Sequence, residues 1–301
     1  MSDANPQQPM KKSAVRTSEQ IAHFLEQTGF VFEMRMNEVL LKAGYFTEIN
    51  EEFLDLEQDT LREIDIAASK VVNDINIHFV IECKQSVTDK WIFICNKRVP
   101  RLMYAVKHLP RVAIEVMHEK KPFVHFHIFD RRTPVAHNYL CYTIVGDKKA
   151  DNRQIDECVY KLPKALLYVA AEEEEGRHLF FPLALFSGQE FCVSYDGKLV
   201  VEETRFVQYF ALFNAETYRE QPKLPVPVAD LMGPLIFDVR KWEKQDQEKK
   251  IRHVTNEFGT AYPIDFVTAA GLSDYLAVIE KQVAAVRRED WPLPEKSKTS
   301  G

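Results

Sequence analysis

Residues able to do metal-assisted phosphoryl chemistry fall inside one short apolar stretch, LREIDIAASKVVNDINIHFVIECKQS, from Leu61 to Ser86. Two segments rich in β-formers, Leu61 to Ala67 and Ile77 to Cys83, flank a polar Asn73-Asp74 turn and are expected to be adjacent, antiparallel strands. Side chains alternate across a strand, so Glu82 and Lys84 share one face while Phe79, Ile81 and Cys83 take the other. The same alternation sets Asp65 opposite to Ile64 and Ile66. A carboxylate in an apolar strand costs several kcal/mol unless a cation or hydrogen bonds compensate. A hard divalent ion such as Mg2+ or Mn2+ is one such partner, because it takes oxygen ligands from one or two carboxylates together with water and substrate phosphate. Asp65 and Glu82 would supply the carboxylates, and the Cys83 backbone carbonyl a third oxygen. Lys84 is placed to orient a nucleophile or to neutralise charge developing on phosphate.

REID, a spacer and then IECK resemble the Asp … Glu-x-Lys core of the PD-(D/E)XK nuclease superfamily, whose fold is restriction-endonuclease-like. The upstream segment TGFVFEMRMNEVLLKAGYF is similar to that superfamily's first helix, which often bears an acid and leads through Gly and an aromatic into the first strand. The resemblance implies that Asp65 and Glu82 bind metal, that Lys84 is the catalytic lysine and that Glu33 is the helix acid. Gln85 extends the match, as a polar residue often follows the lysine. Ile64 stands where the name-giving Pro would be. The likeness covers roughly the first third of the chain. Glu33 and Glu38 lie roughly 140° apart around a helix, so only one of them can face the site.

Other chemistries have less support. A Glu-x-Lys on an exposed strand face is commonly a solvated cross-strand pair, which is the plain alternative to a metal site. His125 and His127 share a strand face without an acidic or Cys partner at usable spacing, so packed or surface imidazoles are expected. Cys83, Cys95, Cys141, Cys158 and Cys192 sit in or beside apolar segments and read as core thiols. The chain has no phosphate-loop or dinucleotide glycine motif, no G-x-S-x-G elbow and no H-E-x-x-H helix.

Composition fits this picture. The chain has 301 residues, 46% hydrophobic and 28% charged, ordinary for a globular protein with room for a real core. Five irregularly spaced cysteines suggest reduced thiols and a cytoplasmic location. The N-terminal segment has no apolar signal-like run, and no stretch is apolar enough for a membrane span. The net charge of −6 does not advertise a nucleic-acid binder. From Lys97 to Arg132, however, nine Lys or Arg face three acids. DNA is the expected partner, with Lys97, Arg98, Arg101 and Gln85 as candidate contacts. A homodimer or a defence or repair partner protein is left open.

The elements that would position these residues are expected as follows. Residues 1–17 form a disordered tail, and 18–215 a nuclease-like core with a β-rich insertion at 86–150. Residues 216–290 form a C-terminal α/β extension, and 291–301 a second tail. The class is α/β, a central mixed sheet flanked by helices. Thr17 or Ser18 caps a first helix, Gly29 interrupts it, and an acid-bearing helix follows to Gly44. Tyr45 to Leu54 and Trp91 to Cys95 are strands, and Val99 to His108 a short helix entered at Pro100. Arg111 to Met117, Phe123 to Phe129 and Tyr139 to Val145 are further strands. A long helix starts after Asp151, with a bend at Pro163 and a solvated Glu172 to Glu175 run. His178 to Phe186, Glu190 to Tyr195 and Leu199 to Phe213 are strands, the last two joined by an Asp196-Gly197 hairpin. Leu235 to Val239, a helix over Trp242 to Val254, a strand over Ile264 to Ala269 and a helix over Ser273 to Arg288 complete the chain. The function expected is a metal-dependent nuclease cleaving DNA, of restriction, repair or defence type. The alternatives are a catalytically silent DNA-binding or partner-recruiting module and an RNA-processing nuclease.

Overall fold

The computed structural model describes residues 18–26, 28–55, 58–95, 102–109, 123–129, 133–146, 148–172, 176–212 and 261–285. Among the described residues, thirteen strands join in one mixed sheet, flanked by helices. The first part of the chain gives helices α1 (Ser18–Glu26) and α2 (Gly29–Lys42), then strands β1 (Phe46–Asp55), β2 (Thr60–Val72), β3 (Ile75–Lys84) and β4 (Asp89–Cys95). Strands β5 (Leu102–Leu109), β6 (Phe123–Phe129), β7 (Val135–Thr143) and β8 (Lys148–Lys149) precede helix α3 (Arg153–Glu172). Strands β9 (Gly176–Phe186), β10 (Gln189–Tyr195), β11 (Leu199–Thr204), β12 (Phe206–Leu212) and β13 (Ala261–Thr268) follow, and helix α4 (Leu272–Ala284) ends the described chain.

The sheet runs β1-β2-β3-β9-β13-β12-β7-β4-β10-β11, with β5 and β6 attached through β9 and β8 through β7. The expected β2–β3 hairpin is present, with Ile66 opposite Ile81 and Val72 opposite Ile75. Asn73 and Asp74 both take left-handed φ, 52° and 62°, which suits the tight turn of a right-twisted hairpin. Parallel pairing of β3 with β9 along nine positions, from Asn76 to Lys84, makes β3 an interior strand. That explains its near-continuous apolar run.

The two faces of β3 bury different cores. Ile77, Phe79, Ile81 and Cys83 pack with Phe32, Met36 and Leu40 of α2 and with Leu272, Leu276 and Ile279 of α4. Val80 faces the other way, with Ile155, Cys158, Leu162 and Leu166 of α3. Trp91 of β4 stacks on Phe186 of β9 with ring centroids 3.9 Å apart, although several strands separate the two in the sheet. The sheet therefore curls around the α3 core. Gly44, at φ +83°, ends α2 in the left-handed conformation that glycine adopts without penalty. Gly188 lies where β9 passes to β10, and a Cβ there would fall 2.6 Å from the Phe186 ring.

Several expectations are corrected. The segment expected as a helix over Val99 to His108 contains strand β5, which pairs with β6 from Leu102 to His108 and with β9 at Lys107 to Leu109. Strand pairing outweighed the helix-start signal at Pro100. The run Leu199 to Phe213 is two strands, because the chain leaves β10 at Arg205 and pairs onward with β13. The strand expected over Tyr139 to Val145 begins earlier, at Val135, beside β4. The long helix expected after Asp151 is present as α3 and includes Pro163. The C-terminal segment contributes β13 between β9 and β12, within the same sheet as the carboxylates rather than apart from it. The elements expected over Arg111 to Met117, Leu235 to Val239 and Trp242 to Val254 lie outside the described residues, as do both expected tails.

Two buried polar pairs lie inside this core. Lys164 of α3 and Asp55 of β1 are both 0% exposed, and the Lys164 Nζ donates to both Asp55 oxygens at 3.0 Å. Arg62 Nε lies 2.9 Å from the same carboxylate, and the Lys164 ammonium sits 3.6 Å from the Tyr160 ring centroid. This pair pins α3 to the edge of the sheet. Asp55→Ala would strand the buried ammonium, and urea unfolding should show a loss of about 3–5 kcal/mol.

His78 of β3 is buried beside His178 of β9, with Nε2 and Nδ1 3.0 Å apart, and its ring stacks on Phe180. Burial, and then the neighbouring imidazole, pull its pKa from 6.5 down to about 3. The unfolded chain therefore takes up the proton first as pH falls. Stability should decline below about pH 6.5, at up to about 1.4 kcal/mol per pH unit. Thermal unfolding at pH 7 and pH 5 should show a smaller acid loss in His78→Phe than in the wild type.

Candidate functional site

The site lies where β2 and β3 part. Their paired register ends at Ile66 and Ile81, so the next residues of β3 have no β2 backbone opposite them. Asp65 fills that gap. Its Oδ2 accepts the Cys83 backbone N–H at 2.6 Å. In a strand, one residue's N–H and carbonyl point the same way, so the Cys83 carbonyl is directed toward the same opening. On β1, Asn50 takes φ 57° where it passes Asp65, a local irregularity between the Ile49–Ile66 and Glu51–Ile64 pairs. Ile64 then packs in the α3 core, whereas Ile66 packs against α2 and α4. The twist between them turns Asp65 toward the end of β3.

Glu82 is nearly buried, with 5% of its side chain exposed, and each of its oxygens meets an ammonium. Lys84 Nζ donates to Oε1 at 2.8 Å. Lys161 Nζ, from α3, lies 2.5 Å from Oε2 and 3.6 Å from Asp65 Oδ1. Lys84 also reaches Glu157 of α3 at 3.1 Å, and Arg153 holds the other oxygen of Glu157 at 3.1 Å. Four helical residues separate Glu157 from Lys161, so one turn of α3 presents an acid and a base side by side to β3.

Electrostatics ties Glu33 to the same spot. Burial, and then the fields of Asp65 and Glu82, raise its pKa above the usual Glu value. Asp65 is raised as well, by burial and then by Glu82, against the opposing effects of Lys161, the Cys83 N–H and Lys84. Burial works against the Lys84 charge, but Glu82 more than offsets it and the pKa lies above the ordinary lysine value. Lys84 is therefore an ammonium at neutral pH, suited to orienting or neutralising and not to taking up a proton. Burial would raise Glu157, but its hydrogen bonds and charge pairing with Lys84 and Arg153 bring it below the usual value.

The structure thus brings Asp65, Glu82 and Lys84 together, with Glu33 within their electrostatic reach. Glu38 points elsewhere and pairs with Lys42 at 2.8 Å on the surface. Gln85 turns its side-chain amide to the Glu26 carbonyl at 3.2 Å, linking the end of β3 to α1. Lys97, Arg98 and Arg101 lie outside the described residues. Lys161 and Glu157 were not anticipated. Their signal was a lysine and an acid beside the apolar α3 face formed by Ile155, Cys158, Leu162 and Leu166.

Among the described residues, no group of three or more His, Cys, Asp or Glu is arranged to hold a metal ion. The donor set still suits a hard divalent ion, which needs only one or two protein carboxylates when water and phosphate complete its shell. Burial raises Glu33 and Asp65 most, and the carboxylate repulsion that adds to it is what an added cation would relieve. Comparison of the chain with protein-family models, curated proteins and solved structures finds no match. Among the described residues, no helix is long and apolar enough to cross a membrane.

The raised Glu33 carboxyl has a sign that can be measured. The folded protein keeps this proton at a pH where the unfolded chain has lost it, so stability falls as pH rises through that window. Without divalent ions, Glu33→Gln should melt higher than the wild type at pH 8, and the gap should close toward pH 4.

Proposed function

We propose that the chain is a metal-dependent nuclease that hydrolyses phosphodiester bonds in DNA. The observation that carries this reading is the convergence of Asp65 and Glu82 oxygens on one point, 3.6 Å and 2.5 Å from the Lys161 ammonium, with Lys84 on the other side of Glu82. The resemblance of REID and IECK to the PD-(D/E)XK nucleases supports it and suggests a restriction-endonuclease-like arrangement of β2 and β3.

In this reading Asp65, Glu82 and the Cys83 carbonyl would hold Mg2+ or Mn2+, and Glu33 would support the ion or its waters. When bound, the ion supplies a more acidic water and neutralises charge on the phosphate. Asp65 is held for this task by the Cys83 N–H. Lys84 keeps its proton, and its ammonium, hydrogen-bonded to Glu82 and Glu157, would orient the attacking water or offset charge developing on the phosphate. Glu157 restrains the Lys84 side chain from the α3 side.

One observation favours a second reading. The two lysines already balance Glu82 and Asp65, so the same fold can serve as a silent DNA-binding or partner-recruiting module. The readings separate on a plasmid assay. With Mg2+ or Mn2+ the wild type should nick or degrade DNA, and Lys84→Ala should reduce cleavage about 100-fold or more while DNA binding stays near wild type; the variant should melt lower, because one Glu82 oxygen loses its ammonium, but remain folded at the assay temperature. Cleavage by neither protein, with DNA binding insensitive to the ion, would exclude the nuclease.

A further inference from the structure

The opening between Asp65 and Glu82 already contains a positive charge, and it comes from α3 rather than from the strands. Lys161 reaches both carboxylates, with its side chain only 16% exposed. Its hold on Glu82 differs in kind from that of Lys84. Lys84 makes an aligned hydrogen bond to Oε1, whereas the buried Oε2 accepts no aligned hydrogen bond, although the Lys161 ammonium lies 2.5 Å away. One ammonium is fixed by direction as well as charge. The other is held by charge alone.

We propose that Lys161 is a displaceable counter-ion, holding Asp65 and Glu82 together in the ion-free protein and competing with a divalent cation for the same oxygens. The proposal rests on reading these acids as a divalent-ion site. Mg2+ binds oxygens at about 2.0–2.1 Å, so an ammonium kept at contact distance from the same Oε2 would sit roughly 4 Å from the ion, where the two positive charges repel. A lysine head is a compact, strongly hydrated charge on a flexible stem, able to leave for water without moving the helix that bears it. Lys164, three residues on, keeps α3 anchored to Asp55 while Lys161 moves. The ion's apparent affinity is then set partly by α3, because binding must withdraw one charge before it can add two. Lys161 is a positioning residue in this scheme. Its presence keeps the carboxylates poised when no ion is bound.

The test is calorimetric titration with Mn2+ of the full chain and of Lys161→Met, Lys161→Arg, Glu82→Gln and the surface variant Lys149→Met. Lys161→Met should bind Mn2+ about tenfold or more tightly than the wild type, because the competing charge is gone. Lys161→Arg should stay near the wild type. Lys149→Met, which removes an equal charge from an exposed position, should change little. Melting in EDTA gives a second readout: Lys161→Met should melt lower than the wild type and gain more from Mn2+. If the methionine variant does not fold, Lys161→Gln provides the same comparison.

Equal or weaker Mn2+ binding by the neutral variants Lys161→Met and Lys161→Gln, with the wild type binding well, would overturn the proposal and leave the ion site standing. No binding by any of the proteins, or undiminished binding by Glu82→Gln, would overturn both.

Discussion

Glu82 is an acid on an interior strand, bordered on both sides by other strands and covered by a helix. Such a charge is tolerated only when each oxygen finds compensation. Lys84, two residues along the same strand, provides it for one oxygen. Lys161, brought by α3, provides it for the other. The second requirement reaches far into the fold, because α3 must sit at a fixed height over β3 for a lysine to arrive there. The buried Lys164–Asp55 pair sets that height at one end of the sheet, and the apolar contacts of Ile155, Cys158 and Leu162 set it along the helix. A charge balance at one glutamate thus constrains α3 and the strands β1 and β3 that it spans.

The opening beside Glu82 exists because of a mismatch between strands. β3 is paired with β9 to its last residue, Lys84, but with β2 only as far as Ile81. The final residues of β3 are rigid on one side and unoccupied by backbone on the other. Asp65 enters from β2 as a side chain in place of a main-chain partner, and one of its oxygens takes the Cys83 N–H. The arrangement combines a stiff support with a polar, approachable rim, the usual requirement for a site that positions reacting groups to within fractions of an ångström.

Much of this was legible in the sequence, and the limits were physical. Period-two alternation put Glu82 and Lys84 on the face opposite Phe79, Ile81 and Cys83, and the two cores divide along that line. The Asn73-Asp74 turn announced the hairpin, and Gly44 the end of α2. Helical geometry separated Glu33 from Glu38. Lys161 was hidden because its role depends on how α3 docks, and periodicity reports which face of a helix is apolar but not what lies beneath it. β5 was hidden for a related reason: its backbone pairs with β6 and β9, and a proline upstream outweighed that distant partnership in local terms. The place of β13 inside the sheet could not be read at all from order along the chain, since neighbours in sequence predict neighbours in space only for short connections.

That place of β13 has a consequence for how the molecule comes into being. β9 pairs with β3 on one side; on the other, β5 meets its first residues, Gly176 to His178, and the stretch from Leu183 to Phe186 is covered by β13, which ends at Thr268. During synthesis the N-terminal strands emerge long before the piece that seals them. Until then β9 and β12 present bare, apolar edges of the kind that recruit foreign strands. Assembly must therefore wait for a contact between distant parts of the chain, which makes folding slow and gives chaperones a window in which to act.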